Sequence, residues 1–492
     1  MILKADSRYL WLPVRRSGLM TKLQFFAGGS RFQEIDLPIG QDAADYYAAM
    51  DVRPWLGQEI EILGDLPEEA LAGLRFSDSR PENEYPFRSR LHFTAETGWI
   101  NDPNGLVYAD GVWHLYHQWN PYGTEWGNMH WGHAVSRDLV NWERRDPVMA
   151  PDVYGTMFSG CGWQDHGNAA GFGKDALLFF YTASGGCNQW SAEAGNRYTQ
   201  RLAVSTDGGN TLKKTGVILE HIKGENRDPK VFWHQASRAY IMVLFLDDYD
   251  FAVFRSQNLL HWQESQRFTA EKMRECPDLF ELQVENEPGK TKWVFWSADG
   301  YYLVGWFDGY QFAPESEVLS AYDTSLPYAA QTFAGVQDRV ISVAWLRTRS
   351  DLGNFRGMLS VPSELSLVRL EDGYRIRFMP VRELRPCFRI AAEQGPADGL
   401  NLPLAGRPVL LELSFSGDPD RERQILIGGQ AVSLPAGCAG AEILIDHGIA
   451  EYWADSGLRY GAAEIGGDAL GGRIEASFPV LSARLYEFAS RA

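Results

Sequence analysis

A four-strand unit recurs along the middle of this chain, and no other feature constrains its fold as tightly. One recurring piece is a strand, a Ser, a turn and an aromatic. It runs Gly132 to Trp142, returns at Leu202 to Gly209 without the closing aromatic, and returns again at Phe251 to Trp262. A weaker copy is Leu303 to Tyr310. An aromatic-rich strand precedes each copy, at Trp113 to His117, Leu177 to Thr182, Tyr240 to Phe245 and Trp293 to Ser297, with a fifth at Val340 to Leu346. One more strand opens each unit, at Asp102, Ser159, Asp228, Asp278 and Tyr328. The unit is about fifty to seventy residues long and recurs about five times, and four-stranded sheets repeated radially make a β-propeller. A long β-sandwich or a β-helix is the alternative. The repeat is far longer than one β-helix coil, and sandwiches do not repeat in this way.

The flanks differ from the repeat. Leu23 to Phe26 and Phe32 to Leu37 read as a hairpin around Gly28-Gly29. Trp55 to Leu63 reads as a further strand, Pro67 to Leu74 as one short helix, and Ser77 to Pro86 as a linker. At the other end, Leu410 to Phe415, Arg423 to Ile427, Ala441 to Asp446, Ile449 to Trp453 and Arg484 to Phe488 alternate apolar and polar residues. Gly417-Asp418-Pro419 and Gly428-Gly429 punctuate them, which is a β-sandwich signature. The expected fold is therefore all-β: a small β-rich domain and linker (1–88), a five-bladed propeller (89–385) and a sandwich (386–492).

Composition narrows the partners. A net charge of −18 repels nucleic acid and anionic lipid, so neither is expected, and it mildly favours neutral substrates. Seventeen Trp either fill strand faces or meet flat, partly apolar ligands such as sugars. Five scattered Cys have no metal-type spacing and fit unpaired thiols in a reducing compartment. The N-terminus lacks an apolar segment followed by a cleavage site, so a cytoplasmic address is expected.

The chemistry gathers around Gly98-Trp99-Ile100-Asn101-Asp102-Pro103-Asn104-Gly105. An acid before Pro, flanked by Asn and closed by Gly, is ordinarily a turn. Acid-bearing turns at Asp228 and Glu275 hold the equivalent place in later units. In a propeller the first strand of each blade lines the axis, so all three would face one funnel. Clustered carboxylates repel and spread their pKa values, leaving one protonated while another stays ionised. Glycosidic cleavage needs that division of labour. Arg227 is placed to hold Asp228 ionised, and Cys276-Pro277 gives Glu275 a less polar setting suited to carrying a proton.

These residues resemble the signature motifs of glycoside hydrolase family 32, which comprises invertases, levanases, inulinases and fructan exohydrolases. The matching stretches are Trp99 to Gly105, Asn226 to Pro229 and Glu275 to Asp278. Phe158-Ser159-Gly160, Trp126 to His133 and Tyr328 to Phe333 add to them, and the resemblance covers roughly residues 89 to 492. It implies a five-bladed propeller followed by a sandwich, and retaining, exo-acting β-fructofuranosidase chemistry on sucrose or short fructans. Asp102 would be the nucleophile, Glu275 the acid and then the base, and Asp228 the stabiliser of the oxocarbenium-like transition state. Asn101, Gln118, Trp126, Phe158, Ser159, Arg227, Tyr328 and Trp345 would shape the sugar pocket. No metal or organic cofactor is implied.

Two departures stand out. Many members carry an Asp two residues before the Tyr of the Tyr-Ala-Ala-Gln segment, whereas here Leu326 holds that place and Asp323 lies upstream. Simple invertases also lack a segment like residues 1–88, which would narrow the funnel or support a homo-oligomer, a role equally open to the sandwich. A fructosyltransferase would use the same nucleophile with sugar in place of water. A non-catalytic fructan-binding propeller would be marked by loss of one acid, and all three acids are present. Asp152 to Met157 and Gly185 to Arg197 are the candidate loops for the leaving side.

Overall fold

The structure, a computed structural model, describes residues 1–84, 88–349, 353–416 and 421–489. The first unit is a pair of small sheets closed on a core that includes Leu12, Phe25, Leu37 and Ile62. Leu19–Ala27 and Ser30–Ile39 form the expected hairpin, with Gly28 and Gly29 both left-handed at its tip. The short helix is Glu68–Gly73. The strand expected from Trp55 begins only at Glu59. Arg53–Trp55 is instead a 3-10 turn with Pro54 inside it, and Gly57 at φ 80 reverses the chain. Trp55 thereby turns back to stack on Phe32 at 3.7 Å. Four strands were not foreseen: Ile2–Lys4, Tyr9–Val14, Tyr46–Asp51 and Arg75–Ser77. Residues 78–84 of the expected linker carry no regular structure, and 85–86 lie outside the described residues.

Five sheets follow in chain order, built from antiparallel neighbours except for one short parallel strand that joins the first sheet. Their opening strands are Gly98–Ala109, Thr156–Asp165, Arg227–His234, Asp278–Gln283 and Pro327–Thr332. The repeated Ser is a turn device. Ser136 Oγ accepts the Asp138 N–H, and Asp138 Oδ1 accepts those of Val140 and Asn141. Ser256 and Asn258 repeat this arrangement, and Ser205 with Asp207 gives a variant of it. The residue after the acid or amide is left-handed in every copy: Leu139, Gly208 and Leu259. The fifth and first sheets are stitched together. Phe355–Arg356 runs parallel to Gly98-Trp99, and the Tyr108 and Ala334 N–H groups donate to the Ala334 and Leu106 carbonyls. The last two strands of the fifth sheet, Ser363–Leu370 and Gly373–Pro380, carried no repeat signal.

Two further sheets pack face to face over Leu411, Ile425, Ile443 and Ile474. They contain all five C-terminal strands read from the sequence, and Gly428-Gly429 is the tight turn expected. Gly417-Asp418-Pro419 lies outside the described residues. Among the described residues no helix is long and apolar enough to cross a membrane.

The last sheets are pinned to the preceding ones through one fully buried imidazole. His92 Nδ1 lies 3.2 Å from Asp446 and Nε2 2.7 Å from Glu451. Asp446 also accepts the backbone N–H groups of Arg90, Leu91 and His92, and Glu451 those of Val361 and the Tyr460 hydroxyl. Burial alone would lower the His92 pKa, but the two carboxylates raise it from 6.5 to about 9. Its stabilising charge is therefore fully present below pH 6.5 and lost as pH rises through about 9. His92→Gln leaves two buried acids without their cation and should cost about 3 kcal/mol in urea unfolding. Between pH 6.5 and 9 that variant should lose less stability than the parent.

Candidate active site

The opening strands do not run straight to their ends. Register breaks fall between Ile100 and Pro103, Met157 and Gly160, Arg227 and Lys230, and Tyr328 and Gln331. A bulge re-aims the side chains it carries. Here the bulged residues include Asn101-Asp102, Phe158-Ser159, Asp228 and Ala329. The Asp102 stretch, which reads as a turn, is thus part of the continuous strand Gly98–Ala109, broken twice in register. Gly105 is the one residue type tolerated at the second break. It is left-handed at φ 54, and a Cβ would sit 2.8 Å from the Tyr116 ring.

Asp102 lies at the floor. Ser159 Oγ donates to its Oδ2 at 2.5 Å and Asn101 Nδ2 to its Oδ1 at 3.1 Å. Gln118 fixes both donors, giving its amide hydrogen to Ser159 at 2.7 Å and accepting from Asn101 at 3.1 Å. Trp99 Nε1 locks the Asn101 amide from the other side. Burial raises the Asp102 pKa, and the Ser159 and Asn101 hydrogen bonds oppose that rise.

Asp228 and Glu275 are both left-handed, at φ 64 and 54. The Asp228 N–H donates to Thr182 Oγ1, and its Oδ2 accepts the Cys276 N–H at 3.0 Å. Burial, with Asp102 and Glu275 close by, pushes Asp228 up to about 7 despite the pull of Arg227. Arg227 draws the Asp228 carboxyl down, as its place in the sequence suggests, and it also reaches a second acid. Its guanidinium donates to Glu275 at 3.0 Å and lies 3.8 Å from Asp228. Glu275 is therefore ion-paired, and the less polar setting expected for it belongs to its neighbour Cys276. That buried thiol is held well above its ordinary pKa, first by burial and then by the carboxylates. It lies 3.5 Å from both Asp102 and Asp228. Tyr328 completes the Glu275 environment, donating from its hydroxyl at 3.0 Å. Glu275 is 32 % exposed at its side chain, whereas Asp102 is 9 % exposed overall.

Aromatic rings rim the acids. Trp126, 53 % exposed, meets Phe158 edge-on at 5.9 Å, and Phe158 meets Tyr198 at 5.8 Å. Trp345 stands against Trp99 and Tyr328. Asn101, Ser159, Arg227 and Tyr328 bond the acids directly, Gln118 and Trp345 reach them through one of these, and Trp126 and Phe158 contact each other. Leu326 packs against Leu346, Phe355 and Met358, and Asp323 pairs with Arg459 of the last sheets, so neither supplies a polar group here. The candidate leaving-side loops are tied together, Asn188 and Asn196 donating to the Asp152 and Val153 carbonyls.

Sequence reading missed Asp299, Thr182 and Arg347. Asp299 sits in the turn after Thr291–Trp296, half-buried, its pKa raised by burial and by Glu275. Its only sequence signal was an acid beside Gly300 in a repeat-unit turn. Arg347 stacks on the Tyr328 ring at 4.2 Å. Among the described residues no group of three His, Cys, Asp or Glu side chains is arranged to hold a metal ion.

The sequence model of the glycosyl hydrolases family 32 N-terminal domain matches residues 92–380. A levanase from Bacillus subtilis is 36 % identical over 350 residues, covering 64 % of this chain and 50 % of its own. An invertase from Debaryomyces hansenii is 33 % identical over 298 residues, covering 55 % of this chain and 54 % of its own. The chain thus spans about half the length of these two relatives. The exo-inulinase structure from Aspergillus awamori superposes with a TM-score of 0.73 at 22 % identity, covering 83 % of this chain and 99 % of that one. The fold likeness is to structures combining a β-propeller with a β-sandwich.

Asp228 keeps its proton to about pH 7 in the fold but only to 3.8 when unfolded. That contribution to stability is complete below pH 3.8 and lost as pH rises through about 7. Asp228→Asn, which never ionises, should therefore be more stable than the parent at pH 8, by roughly 2 kcal/mol. The gap should close toward pH 4 in calorimetric scans.

Proposed function

The chain belongs to glycoside hydrolase family 32, and from that premise we propose that it is a retaining, exo-acting β-fructofuranosidase. Its substrates are sucrose and short fructans carrying a terminal β-fructofuranosyl group. The observation that carries this reading is the unequal placing of the acids. Asp102 lies on the floor with two hydrogen-bond donors locked onto it, where an ionised carboxylate is ready to attack. Glu275 stands nearer solvent, turned by Arg227 and Tyr328, where a proton can reach a leaving oxygen and water can later approach. Asp228 shares the Cys276 thiol with Asp102 and accepts sugar hydroxyls.

The cluster titrates as a unit. Fructose hydroxyls donating to Asp228 favour its ionised form. Asp102 attacks the anomeric carbon as Glu275 protonates the departing oxygen. Water, deprotonated by Glu275, then releases fructose with its configuration retained. The five sheets are read as the blades of one propeller over 89–385, with 1–88 and 386–492 as flanking domains. Among the described residues no cysteine forms a disulfide, which fits a reducing compartment and short imported substrates.

Fructose release from sucrose, kestose, inulin and levan tests this directly. Asp102→Asn should lose at least about 10³-fold in kcat while unfolding at the parent temperature. Glu275→Gln should lose about 10²- to 10⁴-fold on sucrose, and much less on a fructoside with a phenolate leaving group, which needs little protonation. Full activity in the Asp102 variant sinks the assignment of the nucleophile.

A further inference from the structure

We infer that the N-terminal unit sets the height and angle of the aromatic rim, with Asn128 as the positioning residue that couples the two. The inference rests on the proposed fructosidase reading and names what tunes its sugar-binding rim. Asn128 uses both polar atoms of its amide on the backbone of Asp36. Its Oδ1 accepts the Asp36 N–H and its Nδ2 donates to the Asp36 carbonyl, each at 2.8 Å. That is strand-like pairing between a side chain of the first sheet's loop and the hairpin of the N-terminal unit. Nδ2 also reaches Asn120 Oδ1 at 3.1 Å, while Asn120 Nδ2 donates to the Glu125 carbonyl at 2.9 Å. The loop carrying Trp126 is therefore strung between two asparagines, one of which is anchored outside the catalytic sheets.

The candidate leaving-side loop Gly185 to Arg197 is gripped by the same hairpin. Glu34, almost fully buried, accepts the Trp190 N–H at 3.3 Å. Arg31 bridges Glu34 and Glu193 and lies 5.5 Å over the Trp190 ring. Mere packing would not require a polar side chain to be spent on each rim loop at this register. A half-exposed Trp126 at the sugar pocket gains a role once a bound sugar stacks against it. Displacement of such a platform weakens binding of that sugar without touching the acids.

Asn128→Gly tests this without straining the fold, because Asn128 is left-handed at φ 43, a conformation glycine adopts freely. It removes both inter-unit hydrogen bonds. KM for sucrose and kestose should rise roughly five- to ten-fold, with kcat little changed. Trp126→Ala should raise KM similarly, and the double variant should be no worse than Trp126→Ala alone. An unchanged KM in Asn128→Gly, or single effects that multiply in the double variant, overturns the inference. Should Asn128→Gly fold poorly, Glu193→Ala removes an exposed end of the second grip. It should raise KM for kestose by roughly two-fold, and no change overturns the coupling. Parent protein that releases no fructose from any of these sugars overturns the functional reading, and this inference with it.

Discussion

Three carboxylates crowd one small volume, and the backbone around them cannot relax to separate them. Two sit on left-handed residues and the third in a bulge, each next to a strand buried on both faces. Their repulsion is met by a short set of donors: Ser159, Asn101, Cys276, Arg227 and Tyr328. Beneath them Lys230 makes a buried ion pair with Asp278 at 2.9 Å, and both bond Thr332. That pair ties the third, fourth and fifth sheets just below the acids. A buried ion pair adds little net stability but tolerates only one geometry, so it holds the opening strands in register where the acids need it.

Much of this was legible before any coordinates. The repeat located all five opening strands because aromatic strands and Ser turns recur at matching intervals, and three of those openings carry acids. The bulges were not legible. They arise where one strand's register must slip against its neighbour, which depends on the partner strand rather than on local residue type. Asn-Asp-Pro-Asn-Gly and Arg-Asp-Pro look like turns because bulges and turns favour the same residues. Arg227 does face its sequence neighbour Asp228, but its hydrogen bond to Glu275, 48 residues on, was not legible. Asp299 escaped notice because an acid beside Gly in a hairpin turn is common.

The flanking units illustrate a second limit. In the first unit the hairpin was clear from alternation and Gly28-Gly29, yet its sheet partners are short and irregularly patterned strands. Trp55 and Leu326 show tertiary packing overriding local appearance: the one turns back onto Phe32, the other joins an apolar cluster at the edge of the last sheets. The contact of Asn128 with Asp36 could not be read at all, since its partner is backbone and carries no residue-type signal.

The stitch between the fifth and first sheets carries a consequence for synthesis. The strand that bears Asp102 has one edge occupied by Phe355–Arg356, which leave the ribosome long after it. Until then that edge stays open, with a row of unpaired backbone donors and acceptors. The pocket floor is thus among the first catalytic elements made and among the last to be sealed, so chaperone demand should concentrate on chains stalled before the fifth sheet.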